Sequence, residues 1–376
     1  EDWFAYSEKM MVEAIKKLPA GTVSKTTVYD PMEPTLPNGL PINVSVEIDP
    51  KNAKIEVDLT KNEDSKEFGL NESVACATSN ALCGVFNCID SDVPHNAGSF
   101  KRVSVKLREG CVTGIPEFPL SCSMATTNIG DRIVNATQAA FAEFGKGYGL
   151  AEGSMGMGIG AAVISGKDKR FGGAPYINQE WLVVNGGPGT PTSDGWLNYG
   201  LPVAAGLMYR GSVEVEESKH PILIKHMRVI PGGGGAGEFR GAPGADVMYG
   251  PRFDPMTVVT MCDAHINPPQ GVQGGHSGPP AQTYKIKVCG TKEKLPGVAE
   301  CELQPGEWIQ GFDAGGGGYG DPLDRDPSRV LRDVQQKWET LERATDVYGV
   351  ILKLEQDSLS VDVEATKKER MRRRNQ

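Results

Sequence analysis

Histidine is scarce in this chain, five residues in all, so each one counts in a search for chemistry. Asp263-Ala264-His265 places two metal-ligand types two positions apart, on one side if the backbone is extended. His276 follows in the loop from Gly271 to Gly278. A carboxylate and two imidazoles make a three-ligand site with a position open for water. The competing and preferred reading is a surface hydrogen-bonded pair, Asp263 with His265, and a turn capped by His276. No further ligand stands at a metal-site spacing, and the chain contains no H-E-x-x-H motif. Nucleophilic chemistry has weaker support. Gly153-Ser154-Met155-Gly156 lacks the glycine two places before the serine that a nucleophile elbow needs. Ser277 adjoins His276, but adjacent residues of a strand point apart. The eight cysteines include no C-x-x-C pair and read as mostly buried thiols of a reducing compartment. Cys76 and Cys83, seven apart, share one face of an expected helix.

Glycine supplies 47 of the 376 residues and gathers in loops. The most concentrated run is Pro231 to Gly244, where Arg240 is the nearby cation. A phosphate-binding P-loop requires a lysine followed by serine or threonine after the last glycine, and neither is present. The run therefore reads as a tight turn with Arg240 anchored to a carboxylate. Two more runs are Asn185 to Gly195, which contains Asp194, and Asp313 to Pro322. None follows a buried strand, opens a helix and precedes an acidic residue at the spacing of a dinucleotide fingerprint, so no nucleotide site is assigned.

These residues must be held by a chain that is 39% hydrophobic, enough for a sizeable interior. Its formal charge of −9 argues against nucleic acid as a ligand. No apolar stretch approaches the roughly 18 residues needed to cross a bilayer, and no signal-peptide pattern opens the chain, so a cytoplasmic protein without membrane contact is expected. The apolar spacing from Trp3 to Leu18 predicts an amphipathic helix. Alternation at Ile42–Ile48 and Ile55–Leu59 across a polar turn predicts a β-hairpin. Further helices are expected from about Asn71, as cap, to Cys88, with Val74, Ala81, Leu82 and Val85 inward, and from Asp131 to Phe144. A strand is expected at Val103–Leu107. After Gly145 short runs at Ile222–Ile230, Thr257–Met261 and Tyr284–Val288 point to antiparallel strands joined by tight turns. Asp326-Pro327 opens a terminal helix whose stripe runs Val330, Leu331, Val334, Trp338, Leu341. The basic run from Lys367 to Arg374 reads as a solvated helix end or a contact with an acidic neighbour. The fold class is α+β, a β-rich glycine-loop lobe with packed helices and a C-terminal helix. Its lobes are expected at 1–144 (α+β), 145–325 (glycine-rich β) and 326–376 (helical).

Several runs, taken in order, resemble the hydantoinase B/5-oxoprolinase family, which includes large subunits of ATP-dependent acetone and acetophenone carboxylases. They are Tyr6-Ser7-Glu8, Ile55 to Thr60, Asp92 to Asn96, Gly187-Pro188-Gly189 with Asp194-Gly195, Gly234 to Gly241, Pro269 to Gly275, and Gly317 to Pro322. The stretch from Val361 to Thr366, then Arg370 and Arg373, is also similar to the family's ending. The chain departs from the pattern in having Pro231 and four glycines before Arg240-Gly241-Ala242. The resemblance implies that it corresponds to the C-terminal portion of a longer subunit whose N-terminal half carries His/Asp motifs. It further implies partners: a hydantoinase A-like ATP-binding subunit, and an N-terminal hydantoinase B half or equivalent chain. ATP and a divalent metal (Mn, Mg or Zn) would be held by those parts. The substrate would be a small carbonyl compound, for ketone carboxylation or cyclic-amide hydrolysis, and the isolated chain would be inactive. The glycine loops would shape subunit contacts and the channel between sites, which makes Asp194, Gly195, Arg240, Gly274 and Gly275 the candidate substrate or interface residues. The alternatives are a non-catalytic scaffold subunit, or an autonomous metallohydrolase using Asp263, His265 and His276.

Overall fold

Helix α1 (Asp2–Lys16) buries Ser7, Met11, Ala14 and Ile15, a stripe of helical spacing. The description comes from a computed structural model covering residues 1–183, 186–204, 208–355 and 358–375. Asn185, first residue of the second glycine run, lies outside the described residues. Strands β1 (Gly21–Tyr29), β2 (Leu40–Asp49) and β3 (Lys54–Asp58) pair antiparallel. The β2–β3 hairpin is the one the alternation predicts. Helices α2 (Val74–Phe86) and α3 (Ala97–Phe100) lead to β4 (Val103–Lys106), which joins β3 in parallel. Ile42, Val44, Val46 and Ile48 of β2, with Ile55 and Val57 of β3, pack against α4 (Ile129–Ala142). All fourteen residues of α4 are buried.

Ser73, not Asn71, caps α2, accepting the Cys76 N–H. Asn71 instead ties a loop, donating to the carbonyls of Lys66, Phe68 and Ser121. Val74, at the first exposed turn, is 46% accessible rather than inward. Strand β1 has no apolar alternation, since polar Lys25 and Thr27 stand between Val23 and Tyr29 on its inward face, and sequence pattern alone does not reveal it. All eight cysteines are free thiols; Cys111, Cys262 and Cys301 are buried, while Cys289 is exposed.

The next segment is strand-rich. It contains β5 (Gly156–Met157), β6 (Val163–Asp168), β7 (Ala174–Gln179), α5 (Val213–Lys219), β8 (Ile222–Val229), β9 (Ala245–Pro251), β10 (Met256–Cys262), β11 (Gln282–Ile286), β12 (Lys292–Leu295), β13 (Val298–Leu303) and β14 (Trp308–Phe312). One sheet runs β13-β10-β6-β7 with β5 on β10, and the other runs β12-β11-β14-β9-β8. Ile164, Val247, Tyr249, Val258, Leu303 and Ile309 fill the core they share.

The glycine runs pack backbone against backbone inside the chain. Gly235 donates to the Gly316 carbonyl, Gly316 to Ala242, Gly189 to Gly317, and Gly318 to His276. A methyl group on Gly241 would stand inside contact distance of the Gly316 carbonyl, so only glycine permits this approach. The loops expected to meet other subunits thus use their flat backbones on one another; the exposed parts are tips such as Gly274.

Asp326 caps α6 (Pro327–Gln335) and Pro327 sits at its first position. The helix stops at Gln335, because Lys337 adopts φ +60°, and the predicted stripe breaks there. Leu341, 55% exposed, begins a separate α7 (Leu341–Asp346), followed by β15 (Leu352–Glu355), β16 (Ser358–Val361) and α8 (Val363–Arg374). The basic end of α8 is tied to its own chain. Arg370 donates to the carbonyls of Tyr348 and Arg325, Arg373 to those of Thr345 and Asp346, and Arg374 pairs with Asp324.

Candidate functional site

The Asp263-Ala264-His265 run lies just beyond β10, where Ala264 adopts φ +66°. That left-handed step defeats strand alternation, and the two side chains part. Asp263 is fully buried and pairs through Oδ2 with Arg132 Nε at 2.6 Å, while Oδ1 accepts the N–H groups of Asp30 and Ala264. Burial pushes its carboxyl up and Arg132 pulls it back. His265 sets Nε2 against Thr283 Oγ1 at 3.2 Å, and burial lowers its pKa. His276 is exposed, and its backbone joins the glycine loops by donating to the Ala236 carbonyl. Neither the metal trio nor the surface pair predicted from sequence forms. Among the described residues no three of His, Cys, Asp and Glu gather closely enough to hold a metal ion. A divalent metal therefore finds no fitting donor set at these positions.

Asp194 and Arg240 belong to a second buried charge network. Arg240 meets Asp333 through both Nε (2.9 Å) and Nη2 (3.2 Å) and lies over the Trp338 ring. Arg325, wholly buried, bridges Asp194 at 2.6 and 2.9 Å and Asp333 at 2.7 Å. Arg329 adds a further bond to Asp194. Burial opposes the Asp194 charge, but the guanidinium groups, Arg325 foremost, hold its carboxyl below the usual range. Gly195 donates to the Arg240 carbonyl at 2.7 Å, Gly275 lies with its backbone against Gly318, and Gly274 turns the chain at φ +90°. Asp194, Gly195 and Arg240 are thus brought together, joining a glycine loop to α6. Gly274 and Gly275 belong to a different loop, packed on the 313–320 run.

The titratable groups best placed for proton chemistry were missed. On α4, Asp131 accepts the N–H groups of Gly156 and Val203, each at 3.0 Å. Asn135 pairs with both backbone groups of Gly153, and Gln138 donates to the Ala151 carbonyl, so the helix is zipped to residues 151–156. Glu72, also fully buried, accepts one bond from Asn80 at 3.4 Å, and its Oε2 has no partner. Burial, then the nearby Asp131 charge, pushes Glu72 up to about 8. Burial likewise pushes Asp131 up to about 8 against its two N–H bonds. Those bonds favour the ionised form of Asp131 but do not outweigh its burial. Such a pair can hold or release a proton near neutral pH. Two acids fifty-nine positions apart carry no local signal; only the packing of α2 on α4 makes them neighbours.

A sequence model of the family described as hydantoinase B/oxoprolinase matches residues 1–322. Curated relatives include an uncharacterised protein of Methanocaldococcus jannaschii, 29% identical over 87% of this chain and 55% of that protein. The caprolactamase subunit beta of Pseudomonas jessenii is 26% identical over 92% of this chain and 59% of that subunit. The crystal structure of ATP-dependent caprolactamase from Pseudomonas jessenii superposes with TM-score 0.83 at 23% identity, covering 98% of this chain and 63% of that one. The present chain thus spans less than two thirds of the length of the proteins it matches.

Proposed function

Because the chain belongs to the hydantoinase B/oxoprolinase family, we propose that it serves as a subunit, or part of one, in an ATP-dependent complex acting on an activated carbonyl compound. The observation that carries this reading is the family match over residues 1–322. The substrate would be a cyclic amide, opened by water, or a ketone, joined to bicarbonate. In either case ATP supplies a phosphoryl group that makes a poor leaving oxygen a good one, and the protein keeps water from the activated species until the productive step.

The geometry favours a supporting part in that chemistry. Asp194, Arg240, Asp263 and His265 are engaged in bonds that hold the fold, and the glycine runs are packed on each other. ATP would be bound by a hydantoinase A-like partner, and a divalent metal by residues outside this chain. The non-catalytic scaffold remains the second reading, since buried ionic networks serve a scaffold equally well.

The test is reconstitution. The chain, alone and co-expressed with a hydantoinase A-like subunit and an N-terminal hydantoinase B half, is assayed for ATP hydrolysis with lactams and hydantoins, and with ketones plus bicarbonate. Substrate-dependent ATP hydrolysis by the assembly and none by the chain alone is expected. Turnover by the chain alone, or an assembly that no carbonyl substrate stimulates, overturns the reading.

A further inference from the structure

Pairing continues past the end of β7, where the Glu180 N–H donates to the Ala162 carbonyl at 2.9 Å. Tyr176, Asn178 and Glu180 therefore share one side of an extended segment. Tyr176 packs on the apolar core that holds Tyr249, yet the next two residues on that side are polar. Glu180 is wholly buried, and its Oε1 accepts from Asn178 Nδ2 at 3.1 Å. Neither its Oε2 nor the buried Tyr249 hydroxyl has a partner among the described residues.

Helix α5 lies over this side. Asn178 Nδ2 also donates to Glu216 Oε2 at 3.4 Å, and the Tyr176 and His220 rings meet at 5.8 Å. One amide nitrogen thus stands between a buried carboxyl and a carboxylate of the helix. None of the seven residues of α5 is buried. Polar bonds hold it: Glu217 Oε1 accepts the Ile224 N–H at 2.7 Å, and Arg170 Nη1 donates to the carbonyls of Glu217 and Ser218. A segment attached in this way opens locally at less cost than the sheets beneath it.

We propose that α5 is a proton-operated cover, held down while Glu180 carries its proton and released when Glu180 and Glu216 are both charged. Asn178 engages Oε1, so the proton sits on Oε2. Its loss leaves a charge with one hydrogen bond against an apolar core and beside a second carboxylate. Lifting α5 lets water reach that charge and separates the pair. Burial, with Glu216 adding to it, pushes Glu180 up to about 7. Closure is therefore complete below the ordinary glutamate value of 4.5, is lost as pH rises to about 7, and changes little above. Burial keeps the Tyr176 and Tyr249 hydroxyls neutral over this range, and Asp168 and Asp254 act on Tyr176 rather than on Glu180. Glu214 and Lys219 of α5 are exposed. His220 works in the opposite sense: burial lowers its pKa, so its protonation on acidification favours release.

The test is hydrogen exchange of the full chain, read by mass spectrometry over residues 212–220 between about pH 5 and 9 and corrected for the intrinsic rate. Protection is expected to fall at least about tenfold between pH 5 and 7 and to level off above. Glu180→Gln, which mimics the protonated acid, should abolish the fall. Glu216→Gln, on a helix that buries nothing, should recover about threefold of the protection at pH 8 without lowering the melting temperature. His220→Gln removes the opposing titration and should leave the fall in place. Protection independent of pH, a fall that persists in Glu180→Gln, no recovery in Glu216→Gln, or a fall abolished by His220→Gln overturns the proposal. So does a Glu180→Gln effect equally large in β10, which would mark a change in global stability rather than a local cover.

Discussion

Replacing Arg240 by lysine tests what joins the glycine loops to the C-terminal helices. Arg240 is buried, makes two roughly parallel bonds to Asp333, contacts the Gly241 carbonyl at 3.3 Å and covers the Trp338 ring. A lysine ammonium can reach one carboxylate oxygen but cannot reproduce the fork or the stacked plane. Asp333 would keep Arg325 at 2.7 Å, so its charge is not abandoned, and the loss is smaller than breaking a solitary buried pair. One charge-assisted hydrogen bond is removed, about 1.5–3 kcal/mol. Melting entropy near 2.1 cal/mol/K per residue makes that a fall of roughly 2–4 °C in Tm if the chain unfolds as one unit. The companion variant lacks Arg372, Arg373 and Arg374. Arg372 pairs with Glu369 on an exposed helix face, and Arg374 reaches exposed Asp324, contacts that water and salt weaken. Arg373 also holds two carbonyls of the α7 end, so this deletion frays α8 and α7 rather than opening the loops. Scanning calorimetry of both variants, with an Arg240→Lys/Asp333→Asn double-mutant cycle, measures the coupling directly. A tail deletion that lowers Tm more than Arg240→Lys, or a cycle with no coupling, would refute the reasoning.

Other expectations can be checked on the same protein. Glu72 and Asp131 have folded pKa values raised above the unfolded carboxyl value of about 4, so their stabilising contribution is complete below that value and is lost as pH rises through about 8. Glu72→Gln should therefore flatten the fall in Tm between pH 5 and 9, with Asp313 and Glu180, both pushed up to about 7 by burial, leaving a residual slope; identical slopes in variant and parent would sink the assignment. Arg132→Met leaves Asp263 buried without its cation and should cost about 3–5 kcal/mol by urea unfolding, whereas a loss below 1 kcal/mol would mean the network is dispensable. Gly241→Ala forces a methyl group against the Gly316 carbonyl and should destabilise by about 3 kcal/mol or more. Gly172→Ala, left-handed at φ +69° but in open space, should cost only about 1–2 kcal/mol, and equal costs would show that backbone approach is not the constraint. Elemental analysis of the purified chain should find substoichiometric metal, unchanged by His265→Ala, since that imidazole faces Thr283; one firmly held ion lost in the variant would contradict the placement.

Local periodicity made α1, the β2–β3 hairpin and the Asp326-Pro327 helix start readable, because each depends on residues within one or two turns of one another. The ordered motifs likewise made the family legible, since they are carried in linear sequence. Strand β1 was not readable: its inward face carries Lys25 and Thr27 as well as Val23 and Tyr29, and neighbours supply its burial. Nor was the fate of the candidate site residues. Asp263 was available for a metal until a left-handed Ala264 turned it inward to Arg132, 131 positions away. Arg240 was expected to find a carboxylate, but that it is Asp333, 93 positions on and shared with Arg325, is set by where α6 docks. The raised pKa values of Glu72 and Asp131 arise chiefly from burial, which is not a property of the residues themselves. Residue type and spacing determine what a side chain can do locally; which partner, charge and solvent it meets depends on contacts between distant segments, and only the folded chain makes them.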